Sequence, residues 1–167
     1  MLINKLPLNK QATDCLGKYV EETIKTWFRY TVKKPLSYED FSKWGLPKDE
    51  IKKALPCGLP LSEAMDAPPL IQARNILKAN SVVNAFAYSP MSGMYWHTNS
   101  DMIGTRVYYT FTMDRAVFKY KDPDTGQIHE DWDNIGWTAR EFEITEDKPF
   151  WHSVWTSGRR FSFGFIR

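Results

Sequence analysis

Residues 105–120 read TRVYYTFTMDRAVFKY, two runs rich in β-branched and aromatic residues on either side of a polar break. Apolar and polar residues alternate in such runs, which predicts strands at Thr105–Thr112 and Ala116–Tyr120. The same period continues on both sides, and turn-forming residues separate the runs. Five further strands are predicted, at Val82–Tyr88, Gly93–His97, Thr138–Ile144, Phe150–Trp155 and Arg160–Ile166. Short strands at this spacing predict an antiparallel barrel or sandwich.

The first half of the chain follows a helical period instead. Apolar residues at three- and four-residue steps predict an amphipathic helix over Asn9–Tyr30. Ser37, with Asp40 three residues later, is typical of a helix N-cap. Shorter helices are predicted at Lys48–Leu55 and Leu70–Ala79. We therefore expect one α+β domain over residues 1–167, in which a helical layer (1–80) covers a β core (81–167).

The composition excludes several classes of protein. The sequence is 43% hydrophobic and 25% charged, which is ordinary for a globular domain, and its net charge of +2 gives no strong nucleic-acid signal. It contains no apolar run long enough for a membrane span, and its start lacks the apolar core of a signal peptide. Its two cysteines, Cys15 and Cys57, do not have metal-ligand spacing and are expected to be reduced thiols. These features predict a cytoplasmic protein.

Two of the three histidines occupy comparable places on predicted strands. His97 ends one strand and His152 lies near the start of another, 55 residues later. On adjacent antiparallel strands the two imidazoles would meet at the mouth of the barrel, where they could bind a metal ion. If His97 points inward, strict alternation also turns Tyr95 and Asn99 inward. Arg160 opens the last strand, and a buried guanidinium there would suit a carboxylate in the same cavity.

This order of residues resembles the iron- and 2-oxoglutarate-dependent oxygenases, closest in style to their small prolyl-hydroxylase-type members. That pattern is a His-x-Asp or His-x-Glu, a distal histidine fifty or more residues later, and an arginine or lysine about nine residues beyond it. Here it reads His97-Thr98-Asn99, then His152, then Arg160. Gly104-x-Arg106 and the strand after it are also similar. The resemblance covers roughly residues 86–167 and implies a double-stranded β-helix, the jelly-roll or cupin-like antiparallel barrel.

The resemblance also implies a chemistry and a role for each residue. His97 and His152 would bind Fe(II), and Arg160 would pair with the far carboxylate of the cosubstrate 2-oxoglutarate. Tyr109, expected to face inward, would hydrogen-bond the same carboxylate. No catalytic side chain is expected beyond the metal site. The reaction implied is hydroxylation of an unactivated C–H bond by this dioxygenase, and the substrate is left open among a protein side chain, an amino acid and a nucleobase.

Asn99 departs from the family pattern, because a neutral amide stands where the facial triad needs a carboxylate. Asp101 could supply that carboxylate if a bulge or turn directs it to the metal. Asn99 could coordinate through its amide oxygen, or the site could lack a stable metal. His129 would give a third imidazole, as in cupin-type dioxygenases, only if it lies inside the barrel.

Two hypotheses from different classes follow from this departure. The first is an oxidoreductase, namely a 2-oxoglutarate-dependent hydroxylase that uses iron. The second is a barrel that has lost its carboxylate and serves as a binding or structural module, for example in a phage particle, where it would be virion-associated. Metal binding separates the two hypotheses.

Overall fold

The computed structural model describes residues 3–27, 34–45, 59–98 and 102–167, which form an α+β fold. The helices all precede the main run of strands, as expected. They are α1 (Lys10–Trp27), α2 (Tyr38–Ser42) and α3 (Pro68–Ile76), with a 3-10 turn over Ser62–Asp66 before α3. The helix predicted at Lys48–Leu55 and the residue Cys57 lie outside the described residues.

Ten strands follow one another along the described chain. They are β1 (Ile3–Leu6), β2 (Leu59–Pro60), β3 (Ser81–Tyr88), β4 (Ser92–His97), β5 (Gly104–Thr112), β6 (Ala116–Lys121), β7 (Ile128–Trp132), β8 (Gly136–Ile144), β9 (His152–Thr156) and β10 (Arg160–Ile166). Every predicted strand is present, and the predicted ends agree to within two residues. The sequence analysis missed β1, β2 and β7, which are short and lie at sheet edges.

The strands form two antiparallel sheets. The larger has the order β1-β8-β5-β10-β3-β2, and the smaller has the order β4-β9-β6-β7. Among the described residues no strand pairing joins one sheet to the other, so the β core is two facing sheets and not a closed barrel. From β3 onward every connection except β6–β7 crosses between the sheets, namely β3–β4, β4–β5, β5–β6, β7–β8, β8–β9 and β9–β10. These crossings bring the ends of strands from both sheets together.

The outer face of the larger sheet carries the main apolar core. Along β10, alternate residues Phe161, Phe163 and Phe165 are fully buried on this face, against α1 and α3. The rings of Tyr19 on α1 and Phe163 meet edge to face, with centroids 5.9 Å apart. Burying each large apolar side chain contributes roughly 1.5–3 kcal/mol. The predicted helical cover over one sheet is therefore present.

Helix α1 begins where its sequence predicts. Asn9 caps it, because its Oδ1 accepts a hydrogen bond of 3.1 Å from the backbone N–H of Ala12. Leu16 and Val20 recur at a four-residue step and are buried against the sheet. The helix is described to Trp27, and the rest of the predicted span lies in residues 28–33, outside the described residues.

Helix α2 packs against the other sheet. Ser37 caps it as predicted, with its hydroxyl accepting a hydrogen bond from the backbone N–H of Asp40 at 3.1 Å. The indole N–H of Trp155, on the outer face of β9, donates to the carbonyl of Leu36 at 2.8 Å. Phe41 is fully buried in the same contact. The first half of the chain thus covers both sheets, and it also adds β1 and β2 to the edges of the larger one.

Candidate metal and cosubstrate site

His97 and His152 are direct partners across the β4–β9 ladder. Side chains of directly paired residues share a sheet face, and the two imidazole centroids are 4.1 Å apart. The face they share is the inner one, toward the larger sheet, because both residues line the cavity between the sheets. The predicted meeting of the two histidines is confirmed.

A bulge in β4 puts His97 on that inner face. Met94 pairs with Val154 and His97 pairs with His152, so β4 uses one more residue than β9 between the two pairs. The extra residue shifts the side-chain parity of β4. The expectation that Tyr95 points inward with His97 is therefore wrong: the hydroxyl of Tyr95 reaches the carbonyl of Gly45, away from the cavity. Strict alternation could not predict this irregularity.

The hydrogen bonds of the two imidazoles set their tautomers. His97 Nδ1 lies 2.7 Å from the carbonyl oxygen of Tyr95, and His152 Nδ1 lies 3.0 Å from that of Phe150. A carbonyl oxygen only accepts, so Nδ1 carries the proton in both rings and Nε2 carries the lone pair. Histidines that bind metals are oriented in this way by a backbone acceptor.

Both imidazoles are held neutral by their surroundings. Burial lowers the pKa of His97, and the hydrogen bond to Tyr95 only partly opposes it. Burial lowers the pKa of His152 further, and the neighbouring His97 adds to the effect. The rings of Phe118, Phe142 and Phe150 surround His152, with centroids 5.3, 6.3 and 5.4 Å away. A neutral imidazole is the form that binds a metal ion.

A cavity extends from the histidines between the two sheets. It contains about 520 Å³ of empty space, part of it open to solvent. Its polar wall comes from the larger sheet and consists of Asn84, Tyr108, Thr110, Arg140, Arg160 and Ser162. A few polar groups that converge on a mostly apolar cavity are typical of small-molecule sites.

Arg160 lies inside this cavity wall, as the resemblance implies. Its side chain is 1% exposed, which settles the choice of Arg160 over Arg159 as the inward residue. Its Nε donates to Asp133 Oδ2 at 2.8 Å. Its buried Nη1 has no hydrogen-bond partner among the described residues. A buried N–H group without a partner is costly, and a ligand oxygen in the cavity would satisfy it.

Asp133 and Arg140 are site residues that the sequence analysis missed. Asp133 accepts from Arg140 Nη1 at 2.5 Å as well as from Arg160, and its side chain is fully buried. Burial alone would raise the pKa of Asp133, but the guanidinium groups of Arg160 and Arg140 outweigh it and lower the pKa. The signal for Arg140 was its parity, since it shares a face of β8 with the buried residues Thr138 and Phe142.

Tyr109 does not face the cavity, so the expectation that it points inward is wrong. It is buried on the outer face of β5, where its hydroxyl accepts a long hydrogen bond of 3.3 Å from the backbone N–H of Asn9. Parity turns its neighbour Tyr108 inward instead, and Asn84 Nδ2 donates to the Tyr108 hydroxyl at 2.6 Å. The strand was predicted correctly, but the face was assigned one residue out of step.

The third metal ligand is not fixed by the described residues. Asn99 and Asp101 both lie outside them. No group of three histidine, cysteine, aspartate or glutamate side chains suited to a metal occurs in the part of the chain that is described. In the sequence, residues 99–101 lie between Thr98, which follows the end of β4, and Met102, which precedes β5.

His129 lies in the same cross-strand row as the other histidines but apart from them. It pairs with Tyr120 on β6, and Tyr120 pairs in turn with His152. A whole strand therefore separates His129 from His152, a spacing of about 10 Å for two strand steps. The His129 ring stacks on Tyr120, with centroids 5.2 Å apart. This geometry does not favour the three-histidine arrangement.

Comparisons with known proteins give no family for this chain. No family model matches the sequence, and a search of curated proteins finds no match. Within the described ranges, no helix has the length and apolar character needed to cross a bilayer.

Proposed function

We propose that this chain is an Fe(II)- and 2-oxoglutarate-dependent oxygenase on a double-stranded β-helix. Strand order supports the fold assignment. Counted from β3, the first, third, sixth and eighth strands lie in the larger sheet, and the second, fourth, fifth and seventh lie in the smaller one. This is the division found in double-stranded β-helices, and β1 and β2 extend the larger sheet at its edges.

The observation that carries the proposal is the pairing of His97 with His152. Two neutral imidazoles share one inner face, and each presents the lone pair of Nε2. Their position at the ends of two adjacent strands leaves the following segment, 99–101, to supply the third ligand. A two-histidine site with one oxygen ligand and open positions is the arrangement of non-haem iron oxygenases.

Arg160 would hold the far carboxylate of the cosubstrate. β9 runs from His152 to the turn at residues 157–159, and β10 runs back from Arg160. The histidines and Arg160 therefore enter the cavity from opposite ends of β9, which is about 14 Å long at ~3.4 Å per residue. Because all three residues line the same cavity, we expect a ligand that chelates a metal at one end and carries a carboxylate at the other to contact both groups.

When bound, Fe(II) together with 2-oxoglutarate would supply the activation of dioxygen for hydroxylation. The chain's own residues bind and orient the reactants. The aromatic rings around His152 exclude water from one side of the metal position. His97 is only half-buried, so the substrate would approach from its side. A protein side chain, an amino acid and a nucleobase remain the candidate substrates.

Asn99 supports a second candidate function, in which the two facing sheets hold no stable metal and act as a binding or structural module. An amide at the carboxylate position weakens a site that depends on charge to hold iron. The cavity and its buried arginines would still accept an anionic ligand.

Anaerobic titration with Fe(II) and 2-oxoglutarate tests the oxygenase proposal. A chelated complex gives a weak visible charge-transfer band, which we expect for the wild-type protein and for His129→Ala. We expect no band for His97→Ala or His152→Ala. Absence of both the band and iron binding in the wild-type protein would reject the oxygenase and leave the binding module.

A further inference from the structure

We propose that Asp133 is the positioning residue that orients Arg160 and thereby sets the length of cosubstrate that the cavity accepts. This inference rests on the proposed function. It assigns a role to a carboxylate that the metal site and the resemblance leave unused.

Asp133 is itself held firmly in place. It follows the end of β7, and its backbone N–H donates to the carbonyl of Ala116 on β6 at 2.9 Å. Its side chain is 0% exposed and bridges two buried guanidinium groups, with Oδ1 accepting from Arg140 and Oδ2 from Arg160. A carboxylate fixed at both oxygens and through its backbone provides a rigid support.

The contact with Asp133 uses one edge of the Arg160 guanidinium and leaves another edge for a ligand. Asp133 takes the Nε–H, which fixes the plane of the group, and the ring of Tyr88 lies 5.4 Å from Cζ. Nη1 stays buried and without a hydrogen-bond partner in the described part of the chain. Because Arg160 lines the cavity, an acceptor bound there would meet a donor group whose orientation is already fixed.

The charges around Asp133 leave room for one more anion. Arg140 also contacts Asp131, and Asp131 contacts Lys5. The network thus holds three cations and two carboxylates and carries one excess positive charge. Much of it is buried, so a single carboxylate of the ligand would complete it.

If Arg160 is fixed, the cavity should select ligands by their length. The histidine pair and Arg160 anchor the two ends of the ligand, and both are held by hydrogen bonds. A 2-oxo acid that is one methylene longer or shorter than 2-oxoglutarate would lose one of the two anchors. An Arg160 released from Asp133 could move and accept the longer acid.

Asp133→Asn tests this role without turnover. Calorimetry on Mn(II)-loaded protein would give the Kd for 2-oxoglutarate and for 2-oxoadipate, which is one methylene longer. We expect the variant to bind 2-oxoglutarate about tenfold more weakly, as the loss of a charge-assisted hydrogen bond implies. Its preference for 2-oxoglutarate over 2-oxoadipate should fall, and its affinity for Mn(II) should stay within about twofold of wild type.

Asp124→Asn is the matched control, because it makes the same chemical change outside this network. Asp124 is exposed and pairs with Lys148. The Kd of this variant for 2-oxoglutarate should change by less than about twofold. In an Arg160→Met background, Asp133→Asn should have no further effect, because Asp133 acts through Arg160.

Three results of these binding measurements would overturn the inference. Wild-type protein that fails to bind 2-oxoglutarate in the presence of Mn(II) rejects the proposed function and this role with it. Wild-type binding with an unchanged Kd and unchanged length preference in Asp133→Asn rejects only the role of Asp133. An equal effect of Asp133→Asn with and without Arg160 also rejects it.

A measurement on the wild-type protein covers the case in which Asp133→Asn does not fold. Nitrogen-15 NMR of the Zn(II)-loaded protein, with the Arg160 Nε–H assigned by Arg160→Lys, reports the bond to Asp133. We expect that Nε–H to stay protected from exchange when 2-oxoglutarate is added. If 2-oxoglutarate binds and displaces Asp133 from the Nε–H, the positioning role is wrong.

Discussion

His152 is surrounded by Phe118, Phe142 and Phe150 and paired with His97, so its charge state is set by its position in the fold. Burial and the neighbouring imidazole both oppose protonation. The same surroundings that keep the ring available to a metal ion should lower the stability of the metal-free protein in acid.

Stability should therefore fall in mild acid. The pKa of His152 is lowered well below 6.5 in the folded protein, while in the unfolded chain a histidine titrates near about 6.5. As pH falls below about 6.5, the unfolded state takes up a proton that the folded state does not, so the free energy of unfolding decreases. The decrease should reach about 1.4 kcal/mol per pH unit for this one group.

Urea denaturation of metal-free protein between about pH 7 and pH 5 measures this slope. His152→Gln removes this titrating group and should reduce the slope, while His97, whose pKa is also lowered by burial, should account for part of the slope that remains. The buried Asp133 contributes lower down, because its own lowered pKa makes its stabilisation disappear only as pH falls through that value. Equal slopes for wild type and His152→Gln in the upper range would contradict the description of the site.

Asn99 and Asp101 can be separated by substitution. If Asp101 is the carboxylate ligand, Asp101→Ala should abolish Fe(II) binding, because the site is left with two imidazoles. If the site is degenerate, Asn99→Asp should strengthen Fe(II) binding and Asp101→Ala should leave it unchanged. Competition with a coloured chelator under anaerobic conditions measures both. No effect from either substitution would mean that the metal ligand is elsewhere.

At the level of elements, the β4–β9 ladder holds the two histidines together. Gly93 sits where β4 passes close to β9, and a methyl group there would overlap the backbone carbonyl oxygen of Val154. Backbone cannot move aside as a flexible side chain can. The ladder thus depends on a residue without a side chain, one position before Met94, where the bulge that turns His97 inward begins.

Gly93→Ala should therefore disturb both stability and the site. We expect a loss of about 1–3 kcal/mol in the free energy of unfolding, the usual cost of overpacking, together with weaker metal binding. Gly17→Ala is the matched control, since Gly17 lies in α1 with no atom near an added methyl group. It should stabilise the protein by about 0.5–1 kcal/mol and leave metal binding unchanged. Chemical denaturation and metal titration of both variants give the comparison.

Most of the strands could be predicted from the sequence, but their irregularities could not. The period-two runs predicted the main strands because these strands have a buried face. In the larger sheet one face packs against α1 and α3, and the faces that the two sheets turn toward each other line the cavity. β7 was not predicted, because its sequence, Ile-His-Glu-Asp-Trp, is that of a polar edge strand with no apolar alternation. The bulge in β4 and the parity of Tyr108 and Tyr109 depend on which neighbour each residue meets, and a single strand does not contain that information.

At the scale of the whole molecule, the two faces of the larger sheet carry different kinds of residue, with the apolar core on one face and the cavity on the other. Its outer face holds Phe161, Phe163 and Phe165 under the helices, and its inner face holds Arg160 and Arg140. The smaller sheet brings the histidines to the same cavity. Arg160 could be predicted from the number of residues that separate it from His152, which is similar to the family pattern. Its partner Asp133 could not be predicted, because the contact between them exists only in the folded molecule.

The central claim is that His97 and His152 hold a metal ion in this cavity. A crystal structure of protein grown anaerobically with Fe(II) and 2-oxoglutarate, measured at the iron absorption edge, tests it most directly. We predict an anomalous peak within about 2.0–2.2 Å of both Nε2 atoms, the usual length of such bonds, with the far carboxylate of 2-oxoglutarate on Arg160. A structure with no peak between the two imidazoles, or with iron bound elsewhere, would contradict the account.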